Sequence, residues 1–348
     1  MIRPKKVAPG HEFAASILPF PCLNPSADKP KNHLLPPRPK RRLPAVLALL
    51  AWLICMLVVP GVQAARVKPY PEPMERLEFS WTGLALYQFP SHVDGGGSLS
   101  VLTLIFSADL SKQVNEKLGA GVRFSYIFDD YNFSGLTAFP VPHPWSSVHT
   151  FGIDFPLIYS LNDKWKLHLI PTGQFSGEDG ARFGSSLSYG GVVAVSHVFG
   201  PNLELGMGLG VYSNLATISV YPYPIVEIKL GERFKFTNPF PAGPAGPAGG
   251  ELAYSLNKHW AIGVGGAYRS PRFRLDSNGP LRNGIGEYRS IPIFARLTYE
   301  QSHALKIDVY GGVSLFNEIY IHKSNGDEIY RSQQDLAPLI GLSISGSF

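Results

Sequence analysis

Cysteine is almost missing. The chain of 348 residues has two, Cys22 and Cys55, and none follows residue 55. Beyond that point a disulfide framework and a thiolate metal site are both excluded. Catalytic signatures are missing as well: there is no G-x-S-x-G elbow, no P-loop, no H-E-x-x-H and no EF-hand loop. The ten histidines are dispersed, and no two have the i, i+4 spacing of a helical zinc site. The sequence therefore calls for no metal and no cofactor, and it weighs against an enzyme. Excess positive charge is confined to one end. Nine of the 31 Lys/Arg but only two of the 26 Asp/Glu fall within residues 1–64. The remainder is close to neutral, which removes the basic footprint that a nucleic-acid partner needs. Beyond residue 76 no stretch carries a helical apolar stripe, and 36 Gly with 31 Pro fit a helical protein poorly.

What is present begins with a leader. Basic residues over Arg38–Arg42 run into an apolar stretch, Leu43–Val59, and Val62 and Ala64 sit three and one positions before a cut after Ala64. This layout predicts a secretory signal peptide over 38–64 and export through the general secretion pathway. A retained membrane helix is the alternative, because about 17–25 apolar residues can span a bilayer. The Pro60–Gly61 breaker before the small residues favours cleavage. Residues 1–37 are rich in Pro and charge and have no periodicity. They read as a disordered leader or as a translation start set too early, and 65–76 as a short periplasmic segment.

From residue 77 the dominant period is two. In Asn202–Tyr212, Leu203, Leu205, Met207, Leu209 and Val211 alternate with Glu204, Gly206, Gly208 and Gly210. In Glu287–Glu300, Ile291, Ile293, Ala295 and Leu297 face away from Ser290, Arg296 and Thr298. Such alternation is the strand signal. Both a soluble antiparallel sandwich and a membrane barrel produce it. Three features favour the barrel. The segments are about ten residues or longer, against about five or six in soluble sheets. The second face holds Gly, Ser, Thr and scattered charge, as a wet lumen does. Large amphipathic rings gather at segment ends, so that Tyr159, Trp165, Tyr254 and Trp260 read as part of an interfacial girdle.

One short phrase recurs: "YSLNDKW" ends at Trp165, "YSLNKHW" at Trp260, and "IKLGERF" at Phe234 has the same shape. Each reads as a short turn between two strands at one membrane depth. Similar connections lie at 110–117, 199–202 and 300–304. The expected strands are 77–88, 98–109, 118–129, 147–159, 164–175, 185–198, 203–213, 217–229, 233–238, 249–256, 259–272, 286–299, 304–320 and 335–348. That is about fourteen strands, or twelve without the weak pair 233–238 and 249–256. Between those two lies "PFPAGPAGPAGG" (Pro239–Gly250). Its three triplets are too few for a collagen helix and read as an extended, polyproline-like connection. Long loops are expected at 130–146, 176–184, 273–285 and 321–334. The fold class is all-β: a closed antiparallel transmembrane barrel over 77–348.

The sequence ends in "PLIGLSISGSF", an amphipathic strand finishing on Phe348. A terminal aromatic resembles the signal read by the bacterial barrel-insertion machinery, although Gly346 stands where an apolar residue is usual. Together with the two "SLN" turns, the block Asn238–Asn257 and "AYRSPRFRLD" (Ala267–Asp276), it resembles an uncharacterised family of outer-membrane β-barrel proteins of Gram-negative bacteria, a domain of unknown function. The likeness spans most of 77–348. It implies an outer-membrane location, lipid and lipopolysaccharide as surroundings, and the assembly machinery as a partner during insertion. It implies no activity.

The candidate functional residues are charges. If the 300–304 turn is centred on Ser302, Arg296 faces Asp308 directly, and Glu227 faces Lys235 across the "GER" turn. Opposed charges on neighbouring strands add about 0.2–1 kcal/mol each to pairing. Inside a lumen they narrow it, or line it selectively. Arg269, Arg272 and Arg274 cluster at an outer strand end and read as a contact for lipopolysaccharide phosphates or another anionic ligand. The expected function is structural support or passive transport of small solutes through a narrow, charge-lined lumen. The alternatives are an outer-membrane lipid-modifying enzyme, with Ser147 and His149 as its formal candidates, and an adhesion or display barrel.

Overall fold

The computed structural model describes residues 77–135, 139–238, 249–302 and 304–348. The leader, signal and periplasmic segments expected over 1–76, and residues 239–248 of the proline-rich connection, lie outside the described residues. Among the described residues seventeen strands form one sheet. They are β1 (Glu78–His92), β2 (Ser98–Gln113), β3 (Leu118–Ser134), β4 (Ser147–Asp154), β5 (Leu157–Ser160), β6 (Trp165–Glu178), β7 (Leu187–Gly200), β8 (Leu203–Asn214), β9 (Thr217–Leu230), β10 (Phe234–Asn238), β11 (Gly249–Ser255), β12 (Trp260–Ala267), β13 (Arg272–Arg274), β14 (Ile285–Ser302), β15 (Leu305–His322), β16 (Glu328–Gln334) and β17 (Ala337–Ser347).

Fourteen walls result, because β4 with β5 and β16 with β17 each continue one wall, and β13 belongs to a segment that leaves the wall. Each wall pairs antiparallel with the next. The circle closes between β1 and β17, in register from Ser80↔Ser347 to Gln88↔Leu339. The break between β4 and β5 falls at Pro156, which has no N–H to give. Its carbonyl still accepts from Gly121 N at 2.9 Å.

Alternation along β8 shows how one sequence makes two surfaces. Met207 and Leu209 are exposed outward, while Gly206, Gly208 and Gly210 face in. At Gly210 a Cβ would lie 2.5 Å from the Tyr221 ring, so the close approach of that ring requires glycine.

The recurring phrase is a single turn built twice. Asn162 Oδ1 accepts from the backbone N of Lys164 and Trp165, both at 3.0 Å. Asn257 Oδ1 accepts from His259 N at 2.9 Å and Trp260 N at 3.0 Å. Asn115 makes the same pair of bonds to Lys117 and Leu118. This is the Asx turn, for which Asn is suited because its side-chain carbonyl reaches its own backbone two and three residues on. The "GER" turn works differently: it has no Asn, and Gly231 takes φ +66.

β14 and β15 run to 18 residues each, against the roughly 9–11 that cross a bilayer. The surplus lies at the long-loop end, so strands continue where loops were expected: β3 to Ser134, β15 to His322, and β16 inside 321–334. The reason is packing. The inner faces of these extensions bury a cluster that includes Val93, Leu99, Tyr131, Phe133, Trp145, Phe273, Tyr288 and Ile319. Within it Trp145 meets Phe273, Phe133 and Tyr131 edge-on at 5.2, 5.3 and 5.8 Å. Aromatic pairs of this kind add about 0.5–1.5 kcal/mol each beyond the area they bury.

Replacing Asn162 or Asn257 by Ala should cost about 1 kcal/mol each, and the double variant should lose the sum, because the turns share no partners. Urea unfolding of the barrel in lipid vesicles reads both quantities.

Candidate functional site

The chain after β12 leaves the wall. Arg269 and Ser290 exchange both backbone hydrogen bonds at 2.9 Å. β13 then pairs with β14 along one edge and forms a parallel bridge, Arg274↔Gly177, with β6 on the other. Six walls separate β6 from β14 on one side of the circle, so this segment crosses the mouth. Its far end is tied down by Asp276 N donating to Glu178 Oε2 at 3.0 Å and by Ser277 N and Oγ donating to Gly180 O. The crossing strand keeps the period of two. Phe273 and Leu275 enter the aromatic cluster, and Arg272 and Arg274 occupy the opposite face. Gly286 makes room: a Cβ there would lie 2.4 Å from the Phe273 ring.

The interior is therefore uneven. On the side of β12, β14, β15, β17 and β1 a second cluster fills the lumen, with Leu84, Leu86, Ala267, Phe294, Tyr310 and Leu339. On the side of β6 to β10 most inward residues are small or polar, with Ile170, Val192 and Ile225 among them. Gly206, Gly208 and Gly210 line β8, and Ser188, Ala194 and Ser196 line β7. Tyr212 and Tyr221 stack at 5.4 Å, and Tyr221 stays exposed.

Ion pairs follow the same division. Arg296, on β14, is enclosed. Its Nε donates to Glu251 Oε2 at 2.8 Å, its Nη2 to Glu251 Oε1, and its Nη1 to Asp308 Oδ1 and Thr298 Oγ1, both at 2.7 Å. Ser343 Oγ donates to Asp308 Oδ2 at 3.1 Å. The Arg296 and Asp308 side chains are 6% and 2% exposed. Across the lumen the pairs are wet. Glu227 meets Lys235 at 3.1 Å and Lys229 at 3.6 Å, and the Lys235 side chain is 48% exposed although it points inward. Asp109–Arg123 and Lys166–Glu204 complete the set at 2.5 and 2.8 Å.

The sequence-expected pairings need correcting in register. Arg296 is opposite Tyr310, and Asp308 is opposite Thr298, because Ser302 pairs with Leu305 and so the turn follows Ser302 instead of centring on it; the bulge at Glu300/Ser302 takes back one residue of that shift. Glu227 is opposite Thr237, and Lys235 is opposite Lys229, because the turn is centred on Glu232. Both ion pairs form diagonally. Glu251, which the sequence reading missed, is the stronger partner of Arg296. It sits on a wall too short to carry a clear alternation.

The arginines of "RSPRFRLD" are also placed differently from expectation. Arg274 is buried, with Nε on Ser185 O and Nη1 on Asn283 O at 2.9 Å and on Ser324 O at 3.3 Å. Arg272 donates to Thr217 Oγ1 at 2.6 Å and lies 3.6 Å from Glu287. Arg269 lines an interior cavity. None of the three faces the membrane, because the segment folds inward instead of looping out. The signal was available: Arg272, Phe273, Arg274 and Leu275 alternate like a strand.

The other expected residues lie at the surface. Tyr159, Trp165 and Trp260 are exposed at the short-turn end. Trp165 packs on His197 at 4.6 Å, Trp260 on Tyr299 at 4.9 Å and Tyr254 on Phe234 at 4.6 Å. Phe348 exchanges backbone hydrogen bonds with Phe79 beside the closing seam. A second aromatic strip, unread in the sequence, crosses the outer face near the long-loop end: Tyr126, Phe151, Phe175 and Phe183 follow one another at 4.8, 6.1 and 5.4 Å.

Ser147 and His149 do not join. Ser147 Oγ donates to Asp130 Oδ1 at 3.2 Å, whereas His149 takes the Tyr126 hydroxyl on Nδ1 at 2.9 Å and lies 3.0 Å from Asp179. His168 meets Ser196 at 2.8 Å, but Ser196 Oγ is enclosed and donates to Glu204. Neither serine is a nucleophile held by a base.

Removing Arg296 takes the bidentate partner from Glu251 and leaves Asp308 with Lys306 alone, 3.6 Å away. Arg296→Met should destabilise the barrel by about 3–5 kcal/mol, whereas Lys235→Ala, at a wet pair, should cost about 0–1 kcal/mol. The temperature at which the folded electrophoretic band is lost ranks the two variants.

Among solved structures the chain is similar to the COG4313 outer membrane channel from Pseudomonas putida F1, with 11% identity over 81% of this chain and 100% of that one, TM-score 0.44. It is also similar to the toluene transporter TodX from P. putida, with 11% identity, 78% and 90% covered and TM-score 0.33. The KdgM porin in complex with disordered oligogalacturonate gives 9%, 75% and 97%, with TM-score 0.30. No curated protein matches the sequence. A family profile matches residues 89–347, most of the barrel, and the chain accordingly belongs to DUF6268, a domain of unknown function.

Proposed function

We propose that this chain is an outer-membrane barrel through which small polar solutes diffuse passively, along the β6–β10 side of a narrow lumen lined by charges of both signs. The observation that carries this reading is the solvent exposure of inward-pointing charge. The Lys235 side chain is 48% exposed inside the wall, and Arg123 is 45% exposed. Charges that sealed the lumen would be as dry as Arg296. The signal peptide at 38–64 would route the chain through the general secretion pathway, and Phe348 would present its terminal aromatic to the assembly machinery. Short turns then face the periplasm and the long-loop end faces outward. The rings of Tyr159, Trp165, Tyr254 and Trp260 anchor the inner interface, and the strip from Tyr126 to Phe183 borders lipopolysaccharide. A lipid-modifying enzyme is disfavoured by the separate hydrogen bonds of Ser147 and His149.

In planar bilayers the wild-type barrel should pass a small, steady current, because the crossing segment and the packed side occupy much of the lumen. Arg274→Ala removes three hydrogen bonds that hold the segment, and should give a larger, noisier current. A large conductance in the wild type that Arg274→Ala leaves unchanged contradicts the reading, as does silence in both. Under a salt gradient, Lys166→Gln combined with Lys235→Gln removes two lumen cations, leaving Glu204 without its lysine and Glu227 with Lys229 alone, so the reversal potential should move toward cation selectivity.

A further inference from the structure

Between the two apolar clusters lies a partly open cavity of ≈ 30 Å³. Tyr131 and Tyr288 roof it from the aromatic cluster, and Leu86 and Leu339 floor it from the other. Two charged residues line it, Asp129 on β3 and Arg269 on the crossing segment. Asp129 is 5% exposed; Oδ1 accepts from Thr103 at 2.5 Å, and Oδ2 has no hydrogen-bond partner among the described residues. Arg269 is within electrostatic reach of Asp129, but no ion pair joins them, and the guanidinium donates to none of the described residues. The neighbouring Gln88 and Tyr288 are already served. Gln88 donates to the Tyr288 hydroxyl at 2.6 Å, and that hydroxyl donates to Gln334 at 2.8 Å.

Burying a carboxylate such as that of Asp129 in apolar surroundings carries a desolvation penalty of several kcal/mol, recovered only when it meets a counter-charge, whereas Arg269 is half-buried. Here each has an open side toward one shared space. The space holds roughly two to three waters, a volume that the smallest amino acid also fills. An ammonium group satisfies Asp129 and a carboxylate satisfies Arg269, whereas a simple anion or cation completes one and leaves the other bare. A mostly apolar wall with a few convergent polar groups is the usual build of a small-molecule site. We propose that this cavity is a binding site for a small zwitterion of the size of glycine, with its ammonium on Asp129 and its carboxylate on Arg269. The site is separate from the β6–β10 path and does not require that solutes pass through it.

Equilibrium dialysis of the detergent-solubilised barrel against labelled glycine tests the proposal, with acetate and methylammonium as probes carrying one charge each. Glycine should be retained saturably at one molecule per chain, and both half-analogues at least tenfold more weakly. Asp129→Asn and Arg269→Gln should each lower glycine retention at least tenfold. Where a variant does not reach the folded electrophoretic form, the three-probe comparison on the wild type decides. No saturable retention of glycine, equal retention of acetate or methylammonium, or full retention by both folded variants overturns the proposal.

Discussion

Inside a bilayer no water completes a backbone hydrogen bond, and every other feature of this chain follows from that constraint. An open sheet leaves two rows of unpaired N–H and C=O groups in hydrocarbon. β1 and β17 remove them by pairing from Ser80↔Ser347 to Gln88↔Leu339. Closure fixes what the side chains must do. Successive residues point alternately into lipid and into the lumen, so a strand such as β8 is apolar on one face and nearly bare on the other. An even number of walls brings both ends of the barrel to the short-turn side, where Phe79 and Phe348 meet. The Asx turns at Asn115, Asn162 and Asn257 reverse the chain there using their own side-chain carbonyls.

Closure does not fix the interior, and this chain fills its interior unequally. On the β14–β15 side Arg296 is held by two carboxylates and a threonine, with water excluded. On the β9–β10 side Glu227 is shared between two lysines that remain hydrated. The same ion pair has different meanings in the two settings. When dry, each partner depends on the other, and loss of one is severe. When wet, the pair adds little to stability, but it sets the field that a passing ion feels. The crossing segment maintains the difference, because Phe273 seals one side while Arg272 and Arg274 occupy the opposite face.

The walls were legible in the sequence because alternation is local. Each of the fourteen expected strands has a counterpart, including the weak pair now seen as β10 and β11. The repeated "SLN" phrase marked its turns because an Asx turn is specified within four residues. What escaped depends on distance or on register. The turn follows Ser302, which pairs with Leu305, and with the bulge at Glu300/Ser302 this sets Asp308 opposite Thr298 instead of Arg296, a register that no strand pattern records. Glu251 lies 45 residues from Arg296 and joins it only after the walls are assembled. The crossing segment was read as an outer loop because strands of a barrel are expected to belong to its wall. Arg272–Leu275 instead alternates against two protein faces, one aromatic and one polar.

The absence of cysteine beyond residue 55 permits a direct test. Single cysteines would be introduced at Val264, Lys235 and Ser343 of the barrel in lipid vesicles and offered two thiol reagents. One is charged and water-borne; the other is lipid-soluble. A sealed cylinder that is wet on one inner side predicts that the charged reagent labels Lys235→Cys, that only the lipid-soluble one labels Val264→Cys, and that neither labels Ser343→Cys. Labelling of Val264→Cys by the charged reagent, or of Ser343→Cys as fast as Lys235→Cys, would contradict it.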